Sequence, residues 1–86
     1  MEKIMVKGII RGNIVSTRKQ DSLVGSKFME VQLVENGKCT DKYIVAIDSV
    51  GAGIGETVLI TLGSSARLAL NNTDAPADAV IVGIVD

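Results

Sequence analysis

The segment KFMEVQLVENGKCTDKYIVAI, residues 27–47, predicts two antiparallel strands joined by a tight turn. From residue 27 to residue 34 apolar and polar residues alternate, as they do along a strand with one covered face. Asn36 and Gly37 follow, and both tolerate the positive φ angles that a type I′ hairpin turn requires. A returning strand is expected over residues 39–47. The apolar residues predicted to share one face of this strand are Tyr43, Val45 and Ile47.

Outward from this hairpin, short β-branched runs separated by Gly, Asn and Ser predict three further strands, over residues 4–15, 57–62 and 79–85. Gly8 and Gly12 within the first of them suggest sharp coiling or the close approach of a neighbouring backbone.

The segment Ser64–Leu70 follows the fourth predicted strand and is predicted as a short helix with a serine cap, lying over an open end of the sheet. Five strands and one short helix predict an all-β fold, a partly open five-stranded barrel of the oligonucleotide/oligosaccharide-binding (OB) type. Residues 1–86 are expected to form a single domain.

The composition of the 86-residue chain predicts self-association. Hydrophobic residues make up 47% of it, and nine glycines add to that share. Because a domain of this size buries only about 60% of its unfolded surface, part of the apolar surface has to stay exposed or be covered by another chain, and self-association is the simplest explanation.

The sequence lacks the residues that most catalytic sites need. It contains no histidine and one cysteine, Cys39, which excludes an intrachain disulfide, a Cys-His zinc site and a Ser-His-Asp triad. We therefore expect a protein that is not an enzyme and needs no cofactor or metal, with Cys39 packed as a small hydrophobic side chain. A lone thiol, with no membrane-spanning run and no signal-peptide core, favours a reducing cytoplasm.

The charge pattern argues against nucleic acid and membranes as partners. The net charge is −1, and Phe28 and Tyr43 are the chain's two aromatic residues, too few for a base-stacking surface. Residues 1–47 hold eight Lys/Arg against five Asp/Glu, whereas residues 48–86 hold one against five. Two interpretations stay open: the halves interleave in one barrel, or oppositely charged faces of neighbouring copies meet head to tail.

Two small-residue segments are candidate contact sites. Residues 51–55, GAGIG, resemble a phosphate loop, but Glu56 stands where the dinucleotide fingerprint needs its third glycine, which favours a tight loop with positive φ angles. Residues 63–67, GSSAR, place two hydroxyls and a guanidinium directly after a predicted strand, where they could bind backbone carbonyls of a neighbouring subunit. The alternative for this second segment is a helix start with a solvated arginine.

Five ordered motifs resemble the EutN/CcmL family of bacterial microcompartment vertex proteins. They are GxIVSTxK at 12–19, LxGxKFM at 23–29, AxDxVGAGxGExVL at 46–59, GSSAR at 63–67 and DAxIVxIVD at 78–86. The resemblance implies a five-stranded barrel that forms a homopentamer, caps the vertices of a protein shell enclosing metabolic enzymes, and has hexameric shell proteins as neighbours. The alternative is a small OB-type barrel that binds nucleic acid or oligosaccharide.

Subunit contacts are predicted at the two small-residue segments and on the last strand, because small residues allow close backbone approach. That strand is apolar on both faces, so one row of side chains should face the core and the other an adjacent subunit. The two rows are Val80, Val82 and Ile84, and Ala79, Ile81, Gly83 and Val85. The predicted contact residues are Gly51, Ala52, Gly53, Gly63, Ser64, Ser65, Arg67, Ile81 and Ile84.

Overall fold

Five β-strands form the described part of the protein. The computed structural model describes residues 4–14, 27–63 and 79–86. The predicted helix at residues 64–70 lies outside these residues. The strands are β1 (Ile4–Ile14), β2 (Lys27–Glu35), β3 (Lys38–Asp48), β4 (Thr57–Leu62) and β5 (Ala79–Val85). All five predicted strands are confirmed, with differences confined to their end residues.

The strands close into a barrel in the order β1-β2-β3-β5-β4. β1 pairs antiparallel with both β2 and β4, which joins the first strand to the fourth. β5 lies between its two neighbours, antiparallel to β4 and parallel to β3. The sequence predicted a partly open barrel, but the insertion of β5 closes it.

The turn between β2 and β3 has the predicted geometry. Asn36 has a φ of 52° and Gly37 a φ of 76°, and a type I′ turn requires positive φ at both positions. Closer to the barrel, the hairpin carries an irregularity, because Gln32 pairs with Tyr43 whereas Val34 pairs with Cys39. Leu33, the one residue between them on β2, therefore lies opposite three residues of β3, 40–42.

Gly8 confirms the predicted close approach of strands. A Cβ atom built on Gly8 would overlap Cγ1 of Val31 and lie 2.9 Å from the carbonyl oxygen of Gln32. Gly12 differs, since such an atom would have nothing within 4 Å. Instead, the pairing of β1 with β2 shifts register between Ile10 and Gly12. Such a shift bends the strand at this corner of the barrel.

The apolar residues form two buried clusters. The larger fills the barrel and consists of Ile10, Met29, Val31, Ala46, Ala52, Val58, Ile60 and Ile81. The smaller joins Ile47 and Val80, with Phe28 and Val82 packed against it. Ile47 follows the core residue Ala46 directly, and successive strand residues point to opposite faces, so the smaller cluster lies on the outer face of the sheet.

The apolar row predicted on β3 lies outside the barrel. Ala46 is 1% exposed and belongs to the core, whereas Tyr43 is 52% and Val45 54% exposed. The alternation was therefore correct, but the covered face is the one that carries the even-numbered residues. Of the predicted row, Ile47 is buried, within the outer cluster.

A register shift on β5 corrects the predicted division of this strand into two rows. Leu59 pairs with Gly83 but the next residue, Ile60, pairs with Ile81, so Val82 is an extra residue on β5. After this bulge the pattern changes parity, and Ile84 pairs with Val58. Ile81 and Ile84 therefore lie on the same face of the sheet, not on opposite faces as the sequence indicated.

Candidate functional site

The loop of residues 49–56 joins β3 to β4 and contains the first of the two predicted contact segments. Gly51 has a φ of 80° and Gly55 a φ of 90°, values that glycine adopts without strain. The φ of Gly53 is not positive. The prediction of a tight loop with positive φ angles is thus confirmed at the first and last glycines.

The side chain of Asp48 organises the first half of the loop. Its Oδ1 accepts hydrogen bonds from the backbone N–H groups of Val50 at 3.0 Å and Gly51 at 3.1 Å, and its Oδ2 accepts one from Ala52 at 3.0 Å. Hydrogen bonds to an ionised acceptor are stronger than neutral ones. One half-buried carboxylate at the end of β3 therefore fixes the path of the next four residues.

The side chain of Glu56 plays the same part in the second half. Its Oε1 accepts a hydrogen bond from the N–H of Gly53 at 2.6 Å, and its own N–H donates to the carbonyl of Gly53 at 3.2 Å. Phosphate-binding loops use free backbone N–H groups to hold the anion. In this loop the carboxylates of Asp48 and Glu56 already occupy those donors, which agrees with the rejection of a phosphate loop.

Further hydrogen bonds fasten the loop to the barrel at both ends. At its start, the Oγ of Ser49 donates to the carbonyl of Ile81 on β5 at 2.6 Å. At its end, the N–H of Gly55 donates to the carbonyl of Ile10 on β1 at 2.8 Å, and the N–H of Ile10 donates to the backbone carbonyl of Glu56 at 3.1 Å. The loop is therefore held in one position relative to the barrel wall.

The loop presents different side chains from those predicted. Ala52 is 5% exposed and belongs to the barrel core, so its methyl group anchors the loop. Val50 is 40% and Ile54 62% exposed, and neither is among the predicted contact residues. The sequence did contain a signal, because they are the large aliphatic residues of an otherwise small and polar loop.

Of the remaining predicted contact residues, Gly63, Ile81 and Ile84 are described by the structure. Gly63 is exposed and follows β4, with a φ of 68°, so it lies at the opposite end of β4 from the loop, about 20 Å away. Ser64, Ser65 and Arg67 lie outside the described residues. Ile81 is completely buried, whereas Ile84 is 38% exposed.

Cys39 is exposed, so the prediction that it packs as a small hydrophobic residue is wrong. The Nη2 of Arg11 lies 3.8 Å from its Sγ, and the Nε of Arg11 donates to Oε1 of Gln32 at 2.9 Å. The Nε2 of Gln32 in turn donates to the carbonyl of Thr40 at 2.6 Å. This chain of polar contacts spans the outer surface of β1, β2 and β3.

Within residues 4–14, 27–63 and 79–86, no group of three or more His, Cys, Asp and Glu side chains is arranged to hold a metal ion. The same residues contain no helix with the length and apolar character needed to cross a membrane.

Microcompartment shell proteins are among the known proteins that this chain resembles in sequence and fold. A carboxysome shell vertex protein CcmL from Gloeobacter violaceus is 46% identical over 80 residues, which cover 92% of this chain and 80% of the relative. The microcompartment shell vertex protein EutN from Salmonella typhimurium is 40% identical over 87 residues, covering 100% of this chain and 88% of the relative.

Among solved structures, the pentameric microcompartment shell protein GrpN from Rhodospirillum rubrum matches with a TM-score of 0.85 and 39% identity, over 94% of this chain and 93% of that protein. The sequence profile described as "Ethanolamine utilisation protein EutN/carboxysome" matches residues 5–86. This range includes all five strands except Ile4, the first residue of β1. This chain is therefore a member of the EutN/CcmL family.

Proposed function

We propose that this chain is a structural shell protein, not an enzyme, that forms a homopentamer at the vertices of a bacterial microcompartment in the cytoplasm. The observation that carries the proposal is the match to the vertex-protein family over residues 5–86. The closed barrel supports it, because a subunit of a shell has to present fixed surfaces to its neighbours.

A ring of five identical subunits needs two different contact surfaces on each subunit. Head-to-tail contacts of this kind close into a ring when the rotation between neighbours divides the circle evenly. In the proposed ring, the loop of residues 49–56 and the segment of residues 63–67 lie at or near contacts with other shell subunits. Since Ala52 and Ile81 are buried within the barrel, we assign them to the support of these contacts and not to the contact surface.

Hexameric shell proteins are the proposed neighbours of the pentamer. A flat layer of hexagonal units cannot close into a shell without pentagonal units, so the proposed pentamer supplies the curvature. The hydrogen bonds of Asp48 and Glu56 hold the loop backbone in one path, which suits a loop at the edge of such a unit.

Native mass spectrometry of the purified chain tests the oligomeric state. We expect a species of five times the subunit mass at micromolar protomer concentration. A stable monomer under these conditions would refute the proposal.

Co-expression with hexameric shell proteins tests whether this chain occupies the vertices of the shell. Omission of this chain should give open sheets or tubes in place of closed particles.

The alternative, a barrel that binds nucleic acid or oligosaccharide, has less support. Phe28 packs against the outer apolar cluster, which leaves Tyr43 as the exposed aromatic ring. Retention of the chain on single-stranded DNA in a salt-dependent manner would revive this alternative.

A further inference from the structure

The turn between β2 and β3 contains the chain's one Asn-Gly pair. Asn36 and Gly37 are both exposed, and they form a two-residue turn between the paired residues Glu35 and Lys38. Every other asparagine is followed by a residue that has a side chain. These asparagines are Asn13, Asn71 and Asn72, and the residues that follow them are Ile14, Asn72 and Thr73. Asn36 is therefore the asparagine whose side chain the following backbone nitrogen can approach most freely.

The amide groups at this turn are free to react with each other. A backbone nitrogen that follows asparagine is placed along the chain so that it can close a five-membered ring with Cγ of that side chain. Within the described residues, neither the side-chain amide of Asn36 nor the backbone N–H of Gly37 forms a hydrogen bond. A Cβ atom built on Gly37 would have nothing within 4 Å. The attacking nitrogen and the group that it would displace are therefore both accessible.

The observed turn holds the two reacting atoms apart. The φ angles of 52° at Asn36 and 76° at Gly37 are those of a type I′ turn, in which ψ of the first central residue is about +30°. At this ψ the nitrogen of Gly37 points away from Cβ of Asn36. The ring can close only near a ψ of about −120°, where the nitrogen and Cβ are eclipsed across the Cα–C bond.

The other common two-residue hairpin turn supplies that ψ. A type II′ turn keeps a positive φ at its first central residue and has a ψ of about −120° there. The two turns differ by a rotation of the peptide group between Asn36 and Gly37, whose N–H has no hydrogen bond to lose within the described residues. The first position of type II′ favours glycine, so the form with asparagine there is strained and sparsely populated.

We propose that Asn36 is a site of covalent modification, at which the chain deamidates itself through the type II′ form of this turn. The nitrogen of Gly37 forms a bond to Cγ of Asn36, the bond from Cγ to Nδ2 breaks, and the amide leaves as ammonia with the hydrogen of the Gly37 N–H. Water then opens the five-membered imide. Attack of water at Cγ gives aspartate, and attack at the backbone carbonyl carbon gives isoaspartate.

The modification changes both the charge and the backbone of the hairpin. Either product adds a carboxylate beside Glu35, at the exposed end of β2. In isoaspartate the chain runs through the side chain, so the backbone of the turn is one atom longer and the span that Glu35 and Lys38 bridge is altered. This reaction is independent of the proposed pentamer, because every protein atom in it belongs to one subunit.

Peptide mass spectrometry of the aged protein tests the reaction. The folded chain is kept at neutral pH in water enriched in heavy oxygen and is then digested with trypsin. The peptide of residues 28–38 contains Asn36 as its one asparagine, and the peptide of residues 12–18 contains Asn13. We expect the first peptide to gain one heavy oxygen at least about 10-fold faster than the second, because Ile14 is β-branched and hinders the approach of its nitrogen.

The products and a variant identify the route. Ring opening at two carbons gives two forms of the peptide, of which a protease that cleaves before aspartate cuts one. Direct hydrolysis of the side chain gives aspartate alone. Asn36→Asp is the matched control, since its peptide keeps Gln32 as the remaining side-chain amide and should gain no heavy oxygen.

A comparison with the chain unfolded in guanidinium chloride tests the part played by the turn. We expect the folded chain to react about 5- to 150-fold more slowly, as follows from the strain of a non-glycine residue at the first position of type II′. Aspartate as the one product, a rate at Asn36 no greater than at Asn13, or equal rates in the folded and unfolded chains would each overturn the inference. None of these outcomes bears on the mass of the assembly, so the proposed pentamer is tested separately.

Discussion

Replacement of Asp48 by asparagine should destabilise the subunit through the loop of residues 49–56. The carboxylate accepts three backbone hydrogen bonds, two at Oδ1 and one, from Ala52, at Oδ2. Asparagine keeps one acceptor oxygen and places an N–H₂ group at the other position, opposite the N–H of Ala52. One charge-assisted bond is lost, and the other two lose the charge of their acceptor.

The magnitude follows from the number of bonds affected. A hydrogen bond to a charged group contributes about 1.5–3 kcal/mol and a neutral one about 0.5–1.5 kcal/mol. Since Asp48 is half-buried and water partly compensates, we expect a loss of about 2–4 kcal/mol from the free energy of unfolding. The net stability of a small domain is about 5–15 kcal/mol, so the loss would be large.

Urea unfolding followed by far-UV circular dichroism measures this effect. The midpoint should fall while the dependence on urea concentration is unchanged, and the comparison is made at several protomer concentrations because assembly contributes to stability. Asp41→Asn on the same strand is the control, since Asp41 is exposed and its replacement should change stability by less than about 0.5 kcal/mol. If the two variants unfold at the same midpoint, Asp48 does not hold the loop as argued.

Further substitutions test the packing of the barrel. Gly8→Ala should destabilise the subunit by about 1–3 kcal/mol, because the added methyl group overlaps Val31. Gly12→Ala is the matched control and should be tolerated, because its methyl group has free space. Thermal unfolding of both variants measures the difference. Ile81→Ala should cost about 2–5 kcal/mol because Ile81 is fully buried, whereas Ile84→Ala should cost less than half as much in dilute, dissociated samples. A larger effect at Ile84 in the assembled ring than in the dissociated subunit would indicate that a neighbour covers it.

The sequence predicted the strands well because their signals are local. Alternation along β2 and β4, and the Asn36-Gly37 turn, depend on side-chain and backbone preferences within a few residues. The face of β3 that would be covered could not be predicted in this way. Tyr43, Val45 and Ile47 on one face and Ile44 and Ala46 on the other are all apolar or aromatic, and the barrel core takes the second face.

The division of β5 failed for a related reason. A strand of uniformly apolar residues has no alternation to mark its register, and a one-residue bulge then exchanges the two faces. Val82 is that extra residue, and nothing in its side chain distinguishes it from Val80. The bulge depends on the pairing with β4, which is a property of the closed barrel.

The loop of residues 49–56 was predicted from the sequence, and its role as a contact site stays a prediction. Its small residues shape the backbone, with Ala52 buried. The large side chains that the loop exposes are those of Val50 and Ile54. Small residues indicate how a loop is built, and the large residues between them indicate what it presents.

The position of β5 has a consequence for the order of events during synthesis. β5 separates β3 from β4 in the barrel, and the hydrogen bond from Ser49 to Ile81 joins residues 32 positions apart. A nascent chain that has emerged only as far as β4 has an unpaired edge on both strands, and such edges readily pair with other chains. Barrel closure must therefore wait until residues 79–85 have left the ribosome.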